Sequence, residues 1–513
     1  MVPWTSTIGI VGFASLALVA GQNVSISLPT TQPTNSTLLD QRLCSMSLEF
    51  QSLEYYAGEL GHPNQFTHNV IQNIVQRVGL PPAMRIGGNT QDRTYFDSSV
   101  DIAVRLPEGT AEVPNPKQMQ IYVGPKFFKL SENLPKNTVV TYGVNLKFDN
   151  LTDALGEATA LFNAFPHGNQ GSVKLELLEI GNEPDFYFDG VDSYAAQWTE
   201  FAKNISQAVK LVPGKGPAFQ TGDFAGHSAS NFSITRLLNT GILSGDTGAR
   251  INTVSQHMYM GDGATGTVST LLNKGLSRSK LASFKSDIAY ANSKGLRYIL
   301  GETNSFYNGG ATNASNTGAT AIWATDYSLQ AATLNISRTY YHNNIASGYQ
   351  AYYPAVYNIF EPVGNVVIGN STTTRPQIQP QYHAFLVVAE AIGKSGKSRV
   401  AELPAASDYI ASYGIWEKGK LVRIVIINSQ PWVYASTGTR PVITVQLQGI
   451  TKHTKATYKT LYVPYADIAQ GLTWAGQSYA TESGFPSGKV VQEVVKDGQL
   501  NISATSIVLV SIH

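Results

Sequence analysis

The chain has 513 residues and balances 36 Lys+Arg against 35 Asp+Glu, with only 14% charged residues and 26 tyrosines. That balance excludes a field able to recruit nucleic acid or anionic membranes. With a single cysteine, Cys44, no intramolecular disulfide can form, and stability has to come from a buried core.

Ile8–Ala20 is apolar, and Val19-Ala20-Gly21 supplies small residues where a signal peptidase would cut. Residues 1–21 therefore read as a cleaved signal and the protein as secreted. Nine N-x-S/T sequons between Asn23 and Asn501 fit an N-glycosylated, extracellular chain. Residues 22–40 form a polar N-terminal segment expected to join a β-domain further along.

Strand-like and helical runs alternate from residue 41 to residue 392. The strand-like runs are Leu43–Phe50, Ala83–Asn89, Thr138–Leu146, Leu175–Glu183, Ala218–Phe224, Thr253–Tyr259, Arg297–Asn304 and Ile336–Asn343. Tyr349–Val356 is an alternative for the eighth. Amphipathic stretches separate them, among them Gln65–Val78, Thr152–Phe165, Ser193–Leu211, Lys280–Ser293 and Ala319–Leu334. Eight strands with intervening helices predict an α/β fold, a (β/α)8 barrel, whose C-terminal strand ends gather polar residues at one mouth. Glu49, Asn89, Asn145, Glu183, Asp223, Tyr259 and Glu302 fall at those ends. After a helix at Gln381–Ile392, short alternating runs (Leu421–Asn428, Pro441–Leu447, Ala456–Val463, Ile502–Ile512) predict an antiparallel β-sandwich over residues 393–513.

Two segments carry the chemistry. LELLEIGNEPDFY (Leu175–Tyr187) and RYILGETNSFYNGG (Arg297–Gly310) are apolar runs that deliver Glu183 and Glu302 just after a glycine. Carboxylates at the ends of the fourth and seventh strands suit acid-assisted glycosidic cleavage, one protonated to help the leaving oxygen and one ionised to meet the sugar carbon. Taken alone, each glutamate reads equally well as a helix cap or a salt-bridged strand end. The coincidence of the pair favours catalysis. Asn182, beside Glu183, is suited to a sugar 2-hydroxyl. Gly393-Lys394-Ser395-Gly396-Lys397-Ser398 lacks the first glycine of a phosphate loop and reads as a helix end. The nine histidines show no metal-ligand spacing, so neither a metal nor another cofactor is expected.

RIGGNTQD (Arg85–Asp92), SMSLEF (Ser45–Phe50), QHMY (Gln256–Tyr259), GETNSFYNGG (Gly301–Gly310) and SGY (Ser347–Tyr349) resemble glycoside hydrolase family 79, which contains heparanase and fungal and bacterial β-glucuronidases. The resemblance covers the whole barrel. It implies Glu183 as acid/base, Glu302 as nucleophile and net retention. It also implies a glucuronate carboxylate held by Tyr259, Tyr307, Tyr349 and the Gly348 amide, with Glu49, Asn89 and Asn182 on sugar hydroxyls and His257 beside Tyr259. The loop Val100–Gln120 is too short for heparanase's excised linker, and basic clusters for a sulfated polymer are absent. The expectation is thus a β-glucuronidase removing terminal glucuronate, or its 4-O-methyl ether, from glycans such as arabinogalactan. An endo-acting heparanase-like enzyme and a non-catalytic sugar-binding protein are the alternatives.

Overall fold

The computed structural model describes residues 23–105, 120–211, 216–345, 355–364, 367–368 and 371–513. Eight parallel strands form the barrel: β1 (Cys44–Glu49), β2 (Met84–Gly87), β3 (Val139–Val144), β4 (Val173–Ile180), β5 (Ala218–Phe224), β6 (Ile251–Tyr259), β7 (Arg297–Asn304) and β8 (Thr339–Asn343). Each pairs with its neighbour, and β8 closes onto β1 through Thr339–Asn343 against Cys44–Leu48. All eight run the same way, so every C-terminal end opens on one face. The eighth strand is the run ending at Asn343; residues 349–354 of the alternative lie outside the described set.

The helices form where apolar residues recur at helical spacing and local signals cap them. In α1 (Gln65–Val78) the Asn64 side chain accepts from the Thr67 N–H, and Gly79 ends the helix in the left-handed conformation. α2 (Leu151–Ala164) and α3 (Val191–Ala208) follow β3 and β4. The predicted Lys280–Ser293 helix is instead two, α4 (Lys274–Ala282) and α5 (Lys285–Ser293), parted by a turn at Ser283–Phe284. Asn273 caps α4 seven residues before the predicted start. α6 (Gly318–Thr333) and α7 (Tyr382–Ile392) are buried almost all round. That surrounding explains their weak sidedness, because they pack between the barrel and the C-terminal domain.

The C-terminal domain is a two-sheet sandwich. One sheet contains β9 (Arg399–Glu402), β10 (Ile410–Glu417), β11 (Lys420–Asn428), β13 (Ala456–Tyr462) and β15 (Ser506–Ile512); the other joins β12 (Val442–Gln448) and β14 (Gln499–Ser503). The N-terminal strand Asn23–Ser27 pairs with β12, and Thr37–Leu38 pairs with β9. Ile502–Ile512, expected as one strand, is two in different sheets. Thr505 at φ 52° turns the chain between them. Val24, Ile26, Trp416, Ile424, Val445 and Val508 fill the space between the sheets. The outer face of the large sheet packs on α6 and α7 through residues such as Tyr413, Ile427 and Leu509. Gly393 stops α7 as the helix-end reading requires. Cys44 is buried, and burial pushes its thiol up to about 12, so it packs rather than reacts.

Candidate active site

The mouth of the barrel is a cleft of about 640 Å³ floored by Glu183, His257, Tyr259 and Glu302. One carboxylate oxygen of Glu183, one of Glu302 and a ring nitrogen of His257 all lie within 4.8 Å of one another. Among the described residues this is the one acidic and histidine group compact enough to hold a cation. The oxygens of Glu302, however, are already taken by a guanidinium and a phenol.

Glu302 ends an inward-facing run of β7. Its Oε2 accepts from Arg85 Nη1 at 2.9 Å and its Oε1 from the Tyr259 hydroxyl at 2.8 Å. His342 Nδ1 lies 3.5 Å from Oε2. Burial alone would raise this carboxyl, but His342, Arg85 and the Tyr259 hydroxyl outweigh it and hold Glu302 well below the usual carboxylate range.

Glu183 sits in the opposite environment. Burial, and then the neighbouring negative charge of Glu302, push its carboxyl up to about 8. Among the described residues its one close side-chain partner is His257, Nδ1 to Oε1 at 3.0 Å. Burial drives that imidazole down to about 4. A neutral ring at neutral pH offers Glu183 no cation.

The backbone that presents Glu183 is held from three directions. Glu183 has φ 46° and ψ 56°, a conformation a side-chain-bearing residue keeps only when its surroundings enforce it. Its N–H donates to the carbonyl of Asp223, itself at φ 54°. The Asn182 N–H donates to Asp92 at 2.9 Å, and the Asp185 carboxylate accepts from the amides of Ala225 and Gly226. Pro184 then opens a short turn leading toward α3.

Beneath the glutamates the barrel interior is polar rather than aliphatic. Arg85, wholly buried on β2, forks onto Glu179 of β4 at 2.7 and 2.6 Å and also reaches Ser47, Asn182 and Glu302. Gln220 joins Glu179 to Asp223. Burial and the charge of Glu179 hold the Asp223 carboxyl well above its ordinary range.

The candidate residues from the sequence divide accordingly. Glu49, Asn89, Glu183, His257, Tyr259, Glu302 and Tyr307 meet at the cleft. Glu49 Oε2 accepts from the Thr90 N–H, and its Oε1 is 3.5 Å from His342 Nε2. Asn182 is buried, bridging Arg85 Nη2 and Asn89. Tyr259 gives its hydroxyl to Glu302, and Tyr307 stands 44% exposed on the rim with its ring edge-on to Tyr259. Gly348 and Tyr349 lie outside the described residues. Asn145 and Asp223, expected at the mouth, are buried instead. Asn145 spends its amide on the Thr94 carbonyl, and Asp223 turns into the barrel toward Gln220.

Sequence reasoning gave no role to Arg85, Glu179, His342 or Tyr357, which surround the pair. A usable signal existed for the first two, since each is a charge inside an apolar parallel strand, where burial demands a partner. The glycines of RIGGNTQD also gain a reason. Gly88 has φ +80°, and a Cβ there would stand 2.9 Å from Glu49 Oε2 and 3.1 Å from the His342 ring.

Residues 412–509 match the glycosyl hydrolase family 79 C-terminal beta domain. A β-glucuronidase of Aspergillus niger is 28% identical over 470 residues, spanning 85% of this chain and 83% of that one. A β-glucuronidase of Neurospora crassa is 25% identical over 536 residues, spanning 93% and 90%. A 4-O-α-L-rhamnosyl-β-D-glucuronidase structure from Fusarium oxysporum superposes with TM-score 0.77 at 22% identity, covering 95% of this chain and all of that one. A GH51 arabinofuranosidase from Xanthomonas axonopodis pv. citri shares the fold at TM-score 0.60 and 12% identity.

Proposed function

We propose that this glycoside hydrolase, which carries the family 79 C-terminal β-domain and resembles fungal β-glucuronidases along most of its length, is a secreted retaining exo-β-glucuronidase. The observation that carries the mechanism is the pair Glu183 and Glu302, compact yet opposite in environment. One carboxylate oxygen of each lies within 4.8 Å of the other, which fits the short carboxyl separation of retaining enzymes, about 5–5.5 Å, better than the about 6.5–9.5 Å of inverting ones.

In the first step the ionised Glu302 attacks the anomeric carbon while the Glu183 proton passes to the glycosidic oxygen. The C–O bond breaks, the aglycone leaves as an alcohol, and the sugar becomes an ester of Glu302. Esterification removes the negative charge that helped raise Glu183, so its acidity returns and it becomes a base. In the second step Glu183 takes a proton from water, the oxygen attacks the anomeric carbon, and the ester bond breaks to release glucuronate and regenerate Glu302. Glu49 and Asn89 face the cleft where sugar hydroxyls would sit.

Specificity for glucuronate rests on the two β-glucuronidase relatives and on the tyrosine rim. Tyr307 offers a phenol in place of a fixed cation, which would oppose the charge developing at the sugar ring, while the Tyr259 hydroxyl stays on Glu302. Terminal glucuronate or 4-O-methyl-glucuronate on an arabinogalactan-type glycan is the substrate class, and the leader at residues 1–21 would deliver the enzyme to it. The test is a hydrolysis panel of aryl β-glucuronides, β-glucosides and β-xylosides with the anomer of the first product read by NMR. A preference for glucuronides with β-product first is expected; equal rates on glucosides, or α-product first, would sink the reading.

A further inference from the structure

The cleft is larger than one sugar requires, and its lining comes from both sides of the barrel. Glu49, Asn89 and His342 belong to the ends of β1, β2 and β8, the side on which the glucuronate would sit. Phe186, His227, Lys280 and Phe284 follow β4, β5 and β6, the side of Glu183. An acid must face the oxygen it protonates, so whatever is attached to that oxygen departs along the Glu183 flank.

That wall is built. Phe186 lies three residues from the acid, on the turn opened by Pro184, and is 72% exposed, the most exposed large apolar side chain among the described residues. His227 Nδ1 accepts the Ala229 N–H, which leaves the ring proton on Nε2 as a donor. The His227 loop is fastened to the α4–α5 turn by the Ser228 N–H on the Ser283 carbonyl, at 3.3 Å, and by the Asp287 N–H on Ser228 Oγ. The same loop is fastened to the acid's own turn through Asp185. Lys280 lines the cleft and makes no ion pair with any described residue.

We propose that Phe186, His227 and Lys280 form an aglycone subsite for a pyranosyl residue, its apolar ring face on Phe186 and its oxygens on His227 Nε2–H and Lys280 Nζ. This rests on the glucuronidase reading and extends it, because it assigns the side chains that hold the sugar next to the scissile bond. An exposed aromatic with donors to one side is the chemistry of a sugar ring, whose faces are apolar and whose edge is polar.

The experiment compares kcat/KM for β-glucuronyl-(1→6)-galactose with that for β-glucuronyl fluoride, whose leaving group is too small to touch the wall. In Phe186→Ala the ratio of disaccharide to fluoride should fall about tenfold, the usual cost of removing an aromatic anchor. Lys280→Met should lower the same ratio by about fivefold, the loss of one hydrogen bond. An unchanged ratio in both variants overturns the subsite while leaving the glucuronidase reading intact. Failure of the wild-type protein to hydrolyse the fluoride overturns that reading, and the subsite with it.

Discussion

Replacing Glu183 by Gln keeps the shape of the side chain and removes its proton chemistry. In the wild-type protein Glu183, pushed up to about 8, is protonated in roughly nine of ten molecules at pH 7. Above pH 8 each further pH step strips the acid tenfold, so kcat/KM on a sugar aglycone should fall on an alkaline limb near pH 8. Glu183→Gln should lower that rate by about 10²–10⁴-fold and abolish the limb. The loss should depend on the leaving group. Glucuronyl fluoride needs no protonation, so Glu302 should still form the ester, which then accumulates because no base activates water. Stopped-flow measurement should show a burst of fluoride followed by slow turnover. Azide needs no base; at high concentration it should attack the ester, restore turnover and yield β-glucuronyl azide. A limb near pH 8 that persists in the variant, or α-azide as product, would refute the assignment of Glu183.

Tyr259→Phe removes the hydroxyl that stabilises ionised Glu302, so the acidic limb of kcat/KM should move to higher pH and the rate fall about 10–100-fold, the worth of one bond to a charged group; an unmoved acidic limb would show that the contact does not matter. Arg85→Lys cannot reproduce a fork onto Glu179 together with bonds to Asn182 and Glu302, so activity should drop at least about 100-fold and thermal unfolding should show a loss of about 3–5 kcal/mol. Glu361, behind the site, is pushed up to about 8 by burial, with Asn358 its nearest donor at 3.1 Å. Its folded pKa exceeds its unfolded one, so its stability contribution is complete below about pH 4.5 and is lost as pH rises toward 8; Glu361→Gln should therefore raise stability at pH 7 by at most about 3 kcal/mol and flatten denaturation midpoints across that window.

The barrel was legible because its strands are short apolar runs punctuated by glycine and amphipathic helices. Each of the eight expected runs contains or overlaps an observed strand. What failed were positions where local pattern and tertiary position disagree. Ile502–Ile512 keeps a strand-like composition across Thr505, and only the sheet change at that residue divides it. Asp223 sits at a strand end like Glu183. Its left-handed backbone gives the carbonyl to Glu183 and turns the carboxyl inward. Glu183 and Glu302 were legible as a pair because both close apolar runs counted as the fourth and seventh strands, and the structure brings both to the cleft. Arg85 and Glu179 are mid-strand residues whose meaning exists only when β2 and β4 face one another across the barrel axis. Sequence spacing carries no record of that distance.

The same hidden layer explains why two identical side chains differ. Arg85 is the guanidinium beside the pair, and the His342 imidazole is raised from its ordinary value because Glu302 and Glu49 outweigh its burial. Arg85 is ion-paired with Glu179 and Glu302, while His342 stands 3.5 Å from both Glu302 and Glu49. The carboxylates of Glu49, Glu179 and Glu302 therefore draw on Arg85 and His342, and no Lys or Arg among the described residues pairs with Glu183. A fourth anion at Glu183 would be buried without compensation, and desolvation makes that state costly, so the proton stays on. The difference between the two glutamates thus comes from Arg85 and His342 standing beside Glu302 and not beside Glu183. It also limits how an anionic sugar can bind. All five N–H groups of Arg85 are engaged, so a glucuronate carboxylate placed beside it would have to compete with Glu302 for the Nη1 donor and would raise the Glu302 pKa. Under the proposed function, neutral donors at the rim, such as the Tyr307 phenol, would bind that carboxylate without drawing charge from the pair below.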